Sequence, residues 1–186
     1  KFIVLYTGAF GVSNDLHQII ECANLLKANE NIHFALVGNG MEKETLIRHS
    51  KKYGLKNVSF HNAVPKKEMA SIISAADVCI ATLKKSDTFK TVYPNKIFDY
   101  LSCSKPVIVA IEGEIKKLLE PYNVGIFTIP EEPIDLKDAV SVFYEDRELL
   151  EFCGSNGRQF AVNQFDRMKL ASEYISKISD EIFIQT

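Results

Sequence analysis

At 186 residues, 46% of them apolar and 25% charged, the chain has the size and composition of one soluble folding unit and lies outside the disordered and fibrous classes. A net charge of −2, built from 22 basic and 24 acidic side chains spread along the sequence, excludes the strong positive field that nucleic-acid binding requires. No apolar stretch reaches the roughly 18 residues of a membrane span and no basic leader precedes an apolar run. The four cysteines, Cys22, Cys79, Cys103 and Cys153, stand far apart without metal-ligand spacing and read as buried thiols of a reducing compartment. The expectation is a cytoplasmic protein with no metal site.

Phe2-Ile3-Val4-Leu5-Tyr6, a short run of β-branched and aromatic residues, predicts the first strand. Thr7-Gly8-Ala9-Phe10-Gly11 then turns the chain into a helix with apolar positions at Leu16, Ile19, Ile20, Ala23 and Leu26, and with Ser13, Asn14 or Asp15 as its N-cap. The alternation repeats as a strand at Ile32 to Val37, the turn Gly38-Asn39-Gly40, and a helix from about Met41 to Lys52 stopped by Gly54. Asn57 to His61, Lys66 to Ser74 and Val78 to Ala81 read as strand, helix and strand. Pro94 suits the first turn of the next helix, where a missing N–H is harmless, and Pro106 introduces a buried strand at Val107 to Ala110. A sixth strand falls at Gly125 to Thr128. Pro130-Glu131-Glu132-Pro133 is a connection, and from Leu136 helices run on with breaks around Asp146 and Asp166. The final Ile182-Phe183-Ile184 is apolar enough to need a packing partner.

Continuously apolar strands separated by amphipathic helices predict an α/β fold, a doubly wound, mainly parallel, six-stranded Rossmann-like sheet with C-terminal helices. The sheet core extends to about residue 130 and the helical tail covers about 135–186. Such sheets bind ligands at the carboxyl ends of their strands where strand order reverses, which points to the loops after the first and fourth strands. In Gly8-Ala9-Phe10-Gly11 the glycines let the backbone approach a phosphate while the following helix offers amides. A plain strand-to-helix turn would look the same, and Asn14 stands where a third glycine of a dinucleotide fingerprint would fall. In Tyr93-Pro94-Asn95-Lys96-Ile97-Phe98-Asp99-Tyr100-Leu101, Lys96 lies in the first helical turn, where its charge and the free amides can together meet a diphosphate. Asp99, three residues on, shares that face and can accept both hydroxyls of a ribose; the alternative is a Lys–Asp surface pair. His17, His33, His49 and His61 show no paired spacing and are expected on the surface or in the core.

Taken in order, Thr7-Gly8-Ala9-Phe10-Gly11, Val37-Gly38-Asn39-Gly40, Asn57-Val58-Ser59-Phe60, Ala76-Asp77-Val78, Pro94 to Tyr100 and Lys105-Pro106-Val107-Ile108 resemble the C-terminal domain of family 4 glycosyltransferases. These are retaining enzymes of the two-domain GT-B fold, and the likeness is nearest to the branch that builds bacterial surface polysaccharides. It runs to Gly154-Ser155-Asn156-Gly157-Arg158 and covers nearly the whole chain. It implies one half of a GT-B fold: residues 1–186 form a nucleotide-sugar-binding domain, and an N-terminal acceptor domain is absent from the chain. The opening at Lys1, directly on a strand, reads the same way.

By the same resemblance, Gly8, Ala9, Phe10, Gly11 and Lys96 would bind the donor diphosphate, and Asp99 would hold the ribose in place of the usual glutamate. The loop Asn62-Ala63-Val64-Pro65 would read the base, and Lys90, Thr91, Val92, Tyr93, Pro94 and Asn95 would border the donor sugar. Two departures stand out. Thr91 occupies the place of a glutamate found in many members, and Ala9 and Asn14 lie around the places of a basic pair, leaving Lys96 first, then Lys84, Lys85 and Lys90, to supply charge. The catalytic residues are not legible. The implied activity is transfer of a sugar from a nucleotide-diphosphate sugar, a UDP-sugar, to a saccharide or lipid-linked acceptor with retention, without cofactor or metal. A lipid-linked acceptor would bring the whole protein to the inner face of a membrane. Alternatives are a nucleotide-sugar epimerase of the same architecture and a degenerate, non-catalytic scaffold module. A nicotinamide oxidoreductase would require an acidic residue ending the second strand, which Val37-Gly38-Asn39 does not offer.

Overall fold

The computed structural model describes residues 1–183, apart from the side chains of Arg167 and residues 180–183. Its centre is a six-stranded sheet of β1 (Phe2–Thr7), β2 (Ile32–Val37), β3 (Val58–His61), β4 (Val78–Thr82), β5 (Val107–Ala110) and β6 (Gly125–Phe127). The order is β3-β2-β1-β4-β5-β6 and every adjacent pair is parallel. Each strand lies within a residue of its expected place, because a strand covered on both faces is apolar throughout; all five residues of β4 are buried.

Eight helices are described: α1 (His17–Leu25), α2 (Lys43–Lys52), α3 (Lys66–Ser74), α4 (Asn95–Ser102), α5 (Glu114–Leu119), α6 (Pro133–Glu145), α7 (Arg147–Gln164) and α8 (Arg167–Phe183). Alternation along β1 divides the core. Phe2, Val4 and Tyr6 meet Leu16, Ile19, Ile20, Leu46, Val140 and Phe143 from α1, α2, α6 and the turn before α1. Leu5 and the matching residues of β4 and β5 meet Ile73, Ile97, Tyr100, Ile115, Leu119 and Phe160 from α3, α4, α5 and α7.

Two local differences from expectation have physical reasons. A 3₁₀ turn at Val12–Asn14 follows the first glycine loop, so α1 starts only at His17 and none of Ser13, Asn14 or Asp15 caps it. Asp15 instead takes a left-handed conformation (φ 45°) between the two turns and accepts a hydrogen bond from Gln18 Nε2 at 2.8 Å. The short helix α5 spans only six residues between β5 and β6, too few to show a period. In the tail, the break at Asp146 is a cap, its Oδ1 accepting from Leu149 N at 2.8 Å. Along α8, Leu170, Tyr174 and Ile178 repeat every four residues and are exposed. The expectation that Ile182-Phe183-Ile184 needs a partner lies outside the described side chains. No described helix is long and apolar enough to cross a membrane.

Strand order reverses between β1 and β4. The loops that leave their carboxyl ends diverge there, so a crevice opens above the sheet at that point.

Candidate functional site

The glycine loop after β1 is zipped to the loop after β2. Gly8 N donates to Val37 O at 3.0 Å, Phe10 N to Asn39 O at 2.9 Å, and Glu42 N to Phe10 O at 2.9 Å. This approach needs Gly38 and Gly40: a Cβ at the first would collide with Gly8 O, and one at the second with the Phe10 carbonyl. The Phe10 ring is fully buried and wedges the loop in place. The amides of Gly8 and Phe10 are therefore already used, and those of Ala9 and Gly11 are the ones without a backbone acceptor among the described residues. The 3₁₀ turn rather than α1 supplies the nearest helical N–H groups, which corrects the simple strand-to-helix expectation.

Lys96, in the first turn of α4, reaches under this loop. Its Nζ donates to Tyr6 Oη at 2.7 Å, lies 3.3 Å from Asn14 Oδ1, and sits 4.0 Å above the centre of the Tyr6 ring. A Cβ on Gly8 would stand 2.9 Å from that ammonium. No carboxylate pairs with it among the described residues. Burial pulls the Lys96 pKa down to about 7, because the lost hydration is replaced only by neutral oxygens and a ring face. Its described partners are thus all neutral, a phenol, a carboxamide and a ring face. Tyr100, one turn on, is fully buried and accepts from Thr7 N at 2.8 Å, so α4 grips the end of β1 twice.

Asp99 shares α4 with Lys96 but meets different neighbours. It is exposed on a groove of about 230 Å³ between α3 and α4, with Lys66, Met69, Ile73 and Cys103. The segment Asn62-Ala63-Val64-Pro65 leads into α3 at the head of that groove; Val64 packs against the core and Pro65 is the residue before the helix. Cys103 is only half-buried, whereas Cys22, Cys79 and Cys153 are buried as expected; all four are free thiols.

The stretch expected around the donor sugar divides. Lys90 ends in an ion pair with Asp87 at 2.7 Å, and Lys85 lies 3.9 Å from Glu112, so both have acidic partners of their own. The Lys84 backbone donates to Ser13 O. Thr91 is exposed at the end of a 3₁₀ turn, and Val92 packs into the core before Pro94 leads into α4. Tyr93 and Asn95 line an apolar hollow of about 530 Å³ with Phe98, Leu118, Phe165 and Leu170.

Sequence reasoning missed Tyr6, Tyr100 and Lys43, whose partners Lys96, Thr7 and Asn62 are remote along the chain. Lys43 Nζ contacts Gly38 O, Asn39 Oδ1, His61 O and Asn62 Oδ1 at 3.0, 2.9, 3.1 and 2.8 Å. The histidines also pair in space: His17 Nδ1 lies 3.2 Å from His49 Nδ1, while His33 and His61 both meet Ser59 Oγ, at 2.9 and 3.0 Å. Among the described residues no group of three His, Cys, Asp or Glu side chains has the arrangement of a metal site.

Against known proteins, residues 1–160 match the family described as "Glycosyl transferases group 1". The chain is 24% identical over 181 residues to the putative colanic acid biosynthesis glycosyl transferase WcaI of Escherichia coli K12, covering 96% of this chain and 43% of that protein. It is 23% identical over 138 residues to the probable glycosyltransferase WbjE of Pseudomonas aeruginosa, covering 73% and 34%. Among solved structures, Anabaena Alr3699/HepE in complex with UDP aligns with a TM-score of 0.86 at 20% identity, over 97% of this chain and 49% of that one. WaaG, a glycosyltransferase involved in lipopolysaccharide biosynthesis, aligns at 0.74 and 16% identity, over 89% and 44%. The chain thus spans less than half the length of each of these relatives. Those structural likenesses carry the fold, the Rossmann-like α/β arrangement of GT-B glycosyltransferases. With the family matched over most of its length, the chain is a glycosyltransferase domain and belongs to the group 1 glycosyl transferases.

Proposed function

We propose that this chain is the donor half of a retaining, family 4 transferase that moves a sugar from a UDP-sugar to a saccharide or lipid-linked acceptor in surface-polysaccharide synthesis. The observation that carries the reading is the Lys96 ammonium, drawn under the glycine loop at the reversal of strand order with no carboxylate beside it. A diphosphate fits that deficit. Its charge would meet Lys96 and the amides of Ala9 and Gly11, the ribose would fall to Asp99, and the base would lie along Asn62 to Pro65. Residues 90–95 would border the sugar. Uridine is favoured by the UDP bound in the HepE structure, and a polysaccharide product by the naming of the colanic acid relative.

The chemical task assigned to these residues is to stabilise the departing diphosphate by charge fixed in place before reaction, in a cleft that excludes water once closed. The scheme requires no metal. The acceptor and its binding groups belong to an N-terminal half, working from the cytoplasm or the inner membrane face.

The test is calorimetric titration of UDP, GDP and ADP into the chain, alone and within its full-length protein. UDP is expected to bind best. Lys96→Ala should weaken it roughly 10- to 100-fold, the worth of a charge-assisted hydrogen bond, and Asp99→Ala about tenfold, with circular dichroism unchanged. A folded full-length protein that binds none of the three would overturn the reading in favour of a non-catalytic scaffold.

A further inference from the structure

Lys43 opens α2 and gathers the loops on the β3 side of the crevice. Two of its four oxygen contacts belong to the loop after β2, Gly38 O and Asn39 Oδ1, and two to the end of β3 and its loop, His61 O and Asn62 Oδ1. Its ammonium also stands 5.6 Å from the centre of the Phe10 ring, the wedge of the glycine loop. A lysine carries three N–H donors, so four neutral acceptors within 3.1 Å saturate it and no carboxylate competes for it among the described residues.

The other attachments of the loop after β3 are few. Gly38 N donates to His61 O at 3.1 Å where β3 ends, and the next backbone bond, Glu68 N to Pro65 O, is already inside the first turn of α3. Between them Val64 packs on the core, and Asn62 is held by Lys43.

We propose that Lys43 is a positioning residue for nucleobase recognition: by fixing Asn62 against the loops after β1 and β2, it sets where the base-reading backbone lies relative to the diphosphate. The inference rests on the donor-site reading given above. Lys96 meets the diphosphate from α4, across the glycine loop, so loss of the Lys43 tie should damage base recognition and spare the phosphate subsite.

The experiment measures UDP, GDP and inorganic pyrophosphate affinities for the wild-type chain, Lys43→Met, Asn62→Ala and the double variant. Both single variants are expected to lose at least about fivefold in UDP affinity and in preference for UDP over GDP, with pyrophosphate affinity held within about twofold. Because Asn62→Ala cuts one of the ties that Lys43→Met also removes, the double variant should lose little more than Lys43→Met alone. Asn62→Ala removes only an exposed side chain, so it carries the test if Lys43→Met fails to fold. Unchanged preference in Asn62→Ala, or equal loss for UDP and pyrophosphate, overturns the proposal. Selective UDP binding that both variants leave intact would sink this inference alone, whereas a folded full-length protein blind to all nucleotides would sink the donor reading beneath it.

Discussion

An ammonium stripped of most of its water and facing a phenol, a carboxamide and a ring holds its proton poorly, and Lys96 loses it near pH 7. A diphosphate in the pocket would reverse this, since two negative groups beside the nitrogen favour its charged form. Above pH 7 the empty site has released the proton and the filled one keeps it, so binding must take up protons and affinity must fall as pH rises. Calorimetry of UDP binding at pH 8, in buffers of different ionisation enthalpy, should show uptake approaching one proton, abolished in Lys96→Met. No uptake in the wild type would mean that the diphosphate does not meet this residue or that the ligand-free ammonium already keeps its proton at pH 8. Lys96 could be found in the sequence because its significance is local, a cation in the first turn after Pro94. Tyr6 and Lys43 could not, because Tyr6 meets Lys96 across 90 residues and Lys43 meets Asn62 across 19. His17 and His49, 32 residues apart, escaped for the same reason.

The elements meet a constraint at the switch point that explains Tyr100. Along β1 the even residues turn their N–H groups toward β2, as Phe2 and Gly8 do in donating to Asn31 O and Val37 O. The odd residues face β4, which pairs with β1 only at Val4 and Leu5. Beyond that short overlap the odd amides need other acceptors: Ile3 N finds Asp77 Oδ2 at 2.7 Å and Thr7 N finds Tyr100 Oη at 2.8 Å. Tyr100→Phe keeps the ring and strands a buried amide, so it should cost about 1–3 kcal/mol in urea unfolding, with a glycine loop whose first residues exchange their amides faster. A loss below about 0.5 kcal/mol would show that water reaches Thr7. The strands that create this constraint were legible as apolar runs bounded by turn residues. The 3₁₀ turn at Val12–Asn14 and the six-residue α5 were not, since neither is long enough for periodicity to separate it from a loop.

Over the whole molecule, these buried groups give stability a pH dependence with an interior maximum. Burial, with Lys1 and His61 nearby, holds His33 below its ordinary value of 6.5, so the unfolded chain binds its proton first and stability rises as pH climbs through that region. Lys96 continues the rise. From about 7 to its ordinary 10.5 the unfolded chain keeps a proton that the folded, ligand-free chain has released. The thiols act in the opposite direction. Burial pushes Cys22 and Cys79 well above their ordinary 9.0, so the unfolded chain deprotonates first and stability falls as pH passes that value. The buried phenols of Tyr6 and Tyr100 add to the fall above pH 10. Urea midpoints measured in anion-free buffer should therefore climb from pH 6 to a maximum between about 8 and 9 and then decline. Lys96→Met should flatten the climb between 7 and 8.5 while leaving the alkaline decline, and UDP should flatten the same segment in the wild type by raising the Lys96 pKa. If the variant and the wild type keep parallel profiles across that interval, the Lys96 ammonium is solvated after all, and the deficit of negative charge on which the donor site rests is absent.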